Sequence, residues 1–174
     1  MPIILANAAA ASPRVRWAMA ATTVTVLAAD QVSKALVLAL HPTAGSGWVT
    51  VRLVRNTGAN GGIAAGYPVL VTLTALVIAG LAAAFALRAR GRVAAICLAA
   101  VLGGALGNLS DRLFRSPGFG RGAVVDWIHI GAFSGSFNVS DLAIEFGVLG
   151  VVLALLLGEG SHEASRAPEA PAAP

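Results

Sequence analysis

The sequence predicts an all-α membrane protein: a bundle of four transmembrane helices with a small β-rich loop region on its extracytoplasmic side. Three observations carry that prediction. The 174 residues are 57% hydrophobic and only 11% charged, a balance foreign to soluble domains. Four apolar stretches approach the roughly 20 residues that cross a bilayer at ~1.5 Å per residue. The two segments that would join them on one side are longer than a bundle needs, and loops of that length are usually functional or disordered.

The first span runs from Trp17 to Leu40 and is interrupted late by Asp30, Gln31 and Lys34. The second, Pro68 to Leu87, has no charge. The third, Val93 to Leu109, meets "GGALGN" near its end, and the fourth, Val139 to Leu157, carries Asp141 and Glu145 in its first turns. A lipid-exposed backbone must satisfy its own hydrogen bonds, so the spans are expected to be helices. The organisation expected is a cytoplasmic segment 1–16, a transmembrane domain 17–157 and a disordered cytoplasmic tail 158–174, the tail being rich in Pro, Ala and Glu with nothing to bury. "MPIILANAAAASPRVR" places its basic residues after its apolar stretch, which argues against a cleaved signal peptide.

Between the spans, His41 to Tyr67 contains "WVTVRLVRN", whose alternation predicts a short strand pair at the membrane surface. Leu113 to Asn138, rich in Gly, Ser and Phe, is expected to be ordered but irregular. Orientation is nearly balanced: six basic residues (Arg14, Arg16, Arg88, Arg90, Arg92, Arg166) oppose six others (Lys34, Arg52, Arg55, Arg112, Arg115, Arg121). "RARGR" and "RVRW" abut the spans, where orienting charge acts most strongly, so both termini are expected in the cytoplasm. The net charge of +4 forms no continuous basic stripe, which speaks against a nucleic-acid partner. Cys97, the single cysteine, has no thiol partner for a disulfide or metal site and reads as a small packing residue.

All four aspartates fall in the outer half of the chain's expected topology. An ionisable group in a span costs at least about 2.5 kcal/mol at mid-bilayer and so faces the interior, pairs, and often marks function. Asp30 and Lys34, four residues apart with the acid first, suit a helical ion pair that closes the bundle, with substrate contact as the alternative. "GNLSDR" puts Asn108, Asp111 and Arg112 on one helix face. The neighbouring Arg112 favours an ionised, inert Asp111, while Asn108 and Arg112 offer donors either to a peptide carbonyl or to the bundle itself. Asp126 in "VVDWIHI" and Asp141 in "FNVSDL" have apolar neighbours and no adjacent cation. If they meet, two such carboxyls can share one proton, and one member can then activate water while the other protonates a leaving amine; spacing alone does not bring them together.

The blocks "DQVSK", "RNTGA", "GGALGNLSDR", "AVVDWI" and "FNVSDL", in this order over four spans, resemble the lipoprotein signal peptidases, the signal peptidase II family. The resemblance covers Trp17 to Leu157. It implies catalytic aspartates at Asp126 and Asp141, a substrate site lined or shaped by Asn56, Gly58, Asn108, Arg112 and Asn138, and supporting polar residues Asp30, Lys34 and Asp111. It further implies a bacterial inner-membrane aspartyl endopeptidase that acts near the outer face, without metal or cofactor. Its substrates would be diacylglyceryl-modified prolipoproteins embedded in membrane lipid, cut before the lipidated cysteine, and its inhibitor the cyclic peptide globomycin. A monomer is expected. The chain departs from the family's pattern over Asn60, Gly61 and Gly62, with Asn60 and Gly61 where a small residue and an aromatic are usual, and has Ser140 where Ala is commoner and Trp127 where Phe is. Glu145 is expected to face a polar interior.

Rival readings remain. A small polar-core transporter would spread ionisable groups through the membrane depth, and the second span and the inner halves of the others carry none. A serine peptidase using Ser33 and Lys34 fails because adjacent helical residues point ~100° apart. A catalytically degenerate membrane paralogue is the reading that the altered "NGG" segment would favour, and retention of both aspartates speaks against it.

Overall fold

The computed structural model describes residues 12–158, except 46, 60–61, 90 and 132–134. Four helices, α1 (Pro13–Leu40), α2 (Pro68–Arg88), α3 (Arg92–Phe114) and α4 (Val139–Leu156), are each long and apolar enough to cross a membrane. The strands are β1 (Thr43–Ala44), β2 (Val49–Asn56), β3 (Val124–Ile130) and β4 (Ser136–Phe137). The architecture is therefore the expected four-helix membrane bundle with a small antiparallel sheet. The expectations for residues 1–11, for the tail beyond 158 and for Asn60 and Gly61 lie outside the described residues.

Local chemistry sets the boundaries. The first helix starts at Pro13, four residues before the predicted Trp17, because the Ser12 hydroxyl accepts from the Val15 N–H and Pro13 needs no donor at the helix start. Arg14 and Arg16 thus belong to the helix. The third helix continues through "GGALGN" to Phe114, beyond the predicted Leu109. Its glycines permit close approach: a Cβ on Gly107 would run into the Ser140 hydroxyl and the Asp30 carboxylate.

That helix is the centre of the bundle, packed against α1, α2 and α4, whereas α2 leans almost wholly on α3. The buried apolar residues are mostly small, including Ala79, Ala82, Ala86, Ala95, Ala99 and Ala105. Lipid supplies no hydrophobic drive between helices, so close packing of small side chains must hold them together. Large residues such as Leu73, Val77, Leu81, Phe85, Leu149 and Leu153 face outward, where hydrocarbon solvates them.

The sheet has the order β1-β2-β3-β4, all antiparallel. The central pair is formed by β2 and β3, which corrects the expectation of irregular backbone from Leu113 to Asn138. The β-branched run of "VVDWIHI" had a partner in the other loop, 70 residues upstream, and only that pairing makes it a strand. The register sets Val54 opposite Asp126 and Asn56 opposite Val124. Asn56 and Asp126 are therefore diagonal neighbours on one face of the sheet.

The 18 residues of α4 measure ~27 Å at the helical rise, against ~30 Å of hydrocarbon. A helix that barely spans keeps its first turn, which holds Asp141, at the boundary of the apolar layer.

Candidate active site

Asp126 and Asp141 line one cavity of about 400 Å³ beneath the sheet. Their shared neighbour is Asn138. Its side-chain amide donates to Asp126 Oδ1 at 2.7 Å, and its main-chain N–H donates to Asp141 Oδ2 at 3.0 Å. It can serve both because the short β4 ends at Phe137, across from Ile128 of β3, and Asn138 is then the N-cap of α4. The cap is reciprocal, with Asn138 Oδ1 accepting from the Asp141 N–H, the arrangement of a capping box. The other two carboxyl oxygens are also held: Asn56 Nδ2 donates to Asp126 Oδ2 at 3.1 Å, and Asn108 Nδ2 donates to Asp141 Oδ1 at 2.8 Å.

Burial pushes the Asp126 carboxyl up to about 6, and the charge of Asp141 adds to the rise. The amides of Asn138 and Asn56 and the Lys34 ammonium pull in the opposite direction. Desolvation and a like charge are the two influences that make a carboxyl keep its proton.

Behind the dyad lies a fully buried polar cluster. Lys34 Nζ sits 2.7 Å from Asp30 Oδ2 and 2.9 Å from Asp111 Oδ2, all three side chains having no exposure. Gln31 Nε2 donates to both carboxylates, and Arg115 Nε lies 2.5 Å from Asp111 Oδ1. The two carboxylates also reach outward in matching ways. Asp111 accepts from the Val125 N–H at 3.1 Å and Asp30 from the Ser140 N–H at 3.0 Å. Each therefore grips the residue immediately before a dyad aspartate. Lys34 also donates to Asn108 Oδ1, which turns the Asn108 amide nitrogen toward Asp141.

This geometry takes the ion-pair alternative for Asp30 and Lys34, neither of which lines the cavity. It revises the pairing expected for Asp111, whose cation partners are Lys34 and Arg115 and not the adjacent Arg112. Arg112 turns the other way, donating from Nη2 to Gly58 O at 2.7 Å. Its Nε and Nη1 are buried without a partner among the described residues, and the side chain lines the cavity. Two such donors are suited to a substrate carbonyl. Gly58 is pressed against the backbone of Gly62 and Ile63, where no Cβ fits, and its N–H donates to Asn56 Oδ1. Gly58 and Asn138 thus shape the site from behind.

Arg115 was not singled out by the sequence, although its place four residues after Asp111 was a usable signal. Glu145 departs from expectation. It is exposed and lines the membrane-facing rim of the cavity with Ala75 and Ile78, so it does not face a polar interior. Among the described residues, no group of three His, Cys, Asp or Glu side chains is spaced to hold a metal ion.

Ser140 is fully buried and its hydroxyl has no hydrogen-bond partner among the described residues. Burying an unpaired hydroxyl costs roughly 1–3 kcal/mol. Ser140→Ala is therefore expected to leave the unfolding temperature in detergent unchanged or to raise it by a few degrees. A clear drop would show that the hydroxyl has a structural role.

Comparison with known proteins adds the following. Residues 22–157 match the family described as signal peptidase (SPase) II. The chain is similar to a protein named lipoprotein signal peptidase from Leifsonia xyli subsp. xyli, 38% identical over 133 residues that cover 74% of this chain and 61% of that protein. A protein of the same name from Rhodococcus jostii is 39% identical over 138 residues, covering 76% of this chain and 69% of its own length. The matched stretch is thus about three fifths of the length of the Leifsonia relative. A solved bacterial membrane enzyme superposes with a TM-score of 0.68 at 22% identity, covering 87% of this chain and 92% of that one; that likeness concerns the fold.

Proposed function

Because the chain belongs to the signal peptidase II family, we propose that it is an aspartyl endopeptidase that removes signal peptides from diacylglyceryl-modified prolipoproteins, cutting before the lipidated cysteine. The observation that carries this reading is the pair Asp126 and Asp141, clamped by one asparagine on a cavity that the bundle opens toward lipid. The cavity's walls come from α2 (Leu70, Thr74, Ile78) and α4 (Ile144, Glu145), with α3 as its floor. An apolar signal helix and its acyl chains would enter between those walls.

With one proton between the two carboxyls, the ionised member takes a proton from water as its oxygen attacks the scissile carbonyl carbon. The protonated member gives its proton to the carbonyl oxygen. Collapse of the resulting diol breaks the C–N bond: the carboxyl that gained the water proton passes one to the departing amine of the cysteine, while one diol hydroxyl returns its proton to the other carboxyl as the new C=O forms. Arg112 Nε and Nη1 would hold a substrate carbonyl in register. A globomycin-type cyclic peptide would compete for the same cavity, and the chain would act as a monomer.

The orientation we favour puts both termini in the cytoplasm and the dyad near the outer face. Lys34 and Arg112 are buried in the bundle and Arg115 is paired with Asp111, leaving among the described residues Arg52, Arg55 and Arg121 on the dyad's side against Arg14, Arg16, Arg88 and Arg92 on the other. That imbalance supports the assignment.

The test is cleavage in detergent by the purified chain of a diacylglyceryl-modified prolipoprotein and of the same precursor without lipid. Cleavage of the lipidated form alone is expected. Equal cleavage of both would remove the lipid requirement, and no cleavage of either would remove the peptidase reading.

A pH dependence follows from Asp126. The productive one-proton state is lost as pH rises through the upper value of the pair, so kcat/KM should fall on the alkaline side of about 6 in the substrate-free enzyme. Asn56→Ala removes a donor that favours the ionised form and should move this limb to higher pH. A limb that stays in place or moves down would contradict the assignment of the proton to Asp126.

A further inference from the structure

A second, larger cavity of about 670 Å³ lies in the half of the bundle away from the dyad. It is a groove between α1 and α2 with α3 as its floor. The α1 wall is Arg16, Ala20 and Thr23, three positions that the helical repeat stacks on one face, and the α2 wall includes Ala83 and Leu87. The Thr23 hydroxyl donates to Ala99 O of α3 at 2.9 Å, so the groove's interior presents hydrocarbon and no unsatisfied donor. Among the described residues, its only charged lining residue is Arg16, at the membrane boundary.

Among the described residues, the charges at that end of the bundle are all positive. Arg14, Arg16, Arg88 and Arg92 are all exposed there. Among the described residues, every Asp and Glu belongs to the opposite half of the bundle or to the sheet. Arg16 consequently has no acidic partner in the protein among those residues. A soluble anion would satisfy the charge but leave the apolar volume unfilled. A helix with a basic end would fill the volume but meet four like charges.

We propose that this groove binds an anionic phospholipid, with one acyl chain along Ala20, Thr23 and Ala83 and the phosphate against Arg16, in the leaflet opposite the dyad. An acyl chain matches the apolar walls, and a headgroup of net negative charge matches the arginines. The position of Arg16, one turn above the apolar wall, is where a long cationic side chain reaches from hydrocarbon to the headgroup layer.

The test uses the full chain purified in mild detergent and titrated with phosphatidylglycerol, phosphatidylcholine or inorganic phosphate, with retained lipid counted by native mass spectrometry and stability followed by thermal unfolding. One phosphatidylglycerol should be retained in preference to phosphatidylcholine, by about fivefold for each arginine engaged, and should raise the unfolding temperature, while phosphate should do neither. Arg16→Gln should reduce retention of phosphatidylglycerol toward that of phosphatidylcholine. Ala20→Phe, which fills the groove, should lower retention of both lipids; Ala83→Leu fills it from the other wall if that variant fails to fold. Equal retention of phosphatidylglycerol by the native chain, Arg16→Gln and a groove-filled variant would overturn the proposal. Stabilisation by phosphate as strong as by the lipid would overturn it too, since the acyl chain would then contribute nothing.

Discussion

Asp126→Asn and Asp141→Asn are each expected to lower cleavage of a lipidated prolipoprotein by about 10³-fold or more while the protein stays folded. The amide keeps the size of the carboxyl and an oxygen that can accept the bonds from Asn56, Asn138 or Asn108. It cannot take a proton from water or carry one to the leaving amine. The comparison to make is turnover beside thermal unfolding in the same detergent. Either variant retaining native turnover would dismiss the dyad, whereas turnover and unfolding temperature falling together would show that the carboxyl acts through structure. The two single losses should not multiply in the double variant, because one shared proton is already lost in each.

The second large effect is expected at a residue that never meets the substrate. Lys34→Met leaves Asp30 without a cation and Asp111 with Arg115 alone, both carboxylates having no exposure. Breaking a buried ion pair from one side costs roughly 3–5 kcal/mol, most of it the uncompensated charge left behind. Here the loss also spreads, because those carboxylates hold the Val125 and Ser140 N–H groups. Asn108, without the ammonium, keeps only the Asn138 amide on its Oδ1 and orients its own amide toward Asp141 less firmly. The expected result is a large fall in unfolding temperature, with residual activity below what the folded fraction accounts for. Adding Asp30→Asn to Lys34→Met should recover part of the stability and little of the activity. A single variant as stable and active as the native chain would mean that the cluster is neutralised in another way.

The sequence disclosed the bundle and its chemistry unevenly, for physical reasons. Apolar runs of membrane length are a local signal, so the spans were readable to within a few residues, apart from the ends that Ser12 and Pro13 extend and that α3 prolongs past Leu109. The pairing of β2 with β3 was not readable, since neither strand is stable alone and the partners are 70 residues apart. The same holds for the meeting of Asp126 and Asp141, which depends on where β4 delivers Asn138. Spacing alone indicated that Asp30 faces Lys34. It could not indicate that Asp111 joins them, because helix spacing reports neighbours on one helix and not across two. For Arg112, adjacency in sequence misled: consecutive residues point apart, and its guanidinium follows the cavity to Gly58 while Asp111 turns to Arg115.

Asn138 begins α4 and, as the same residue, holds both carboxyls, Asp141 through its main-chain N–H and Asp126 through its side-chain amide. The first turn of a helix is also where it frays, so a chain whose last span is incompletely wound or inserted has no assembled dyad. On the proposed function, proteolytic competence would in this way report completed assembly: during synthesis and insertion, an immature molecule would pose no danger to the nascent proteins around it.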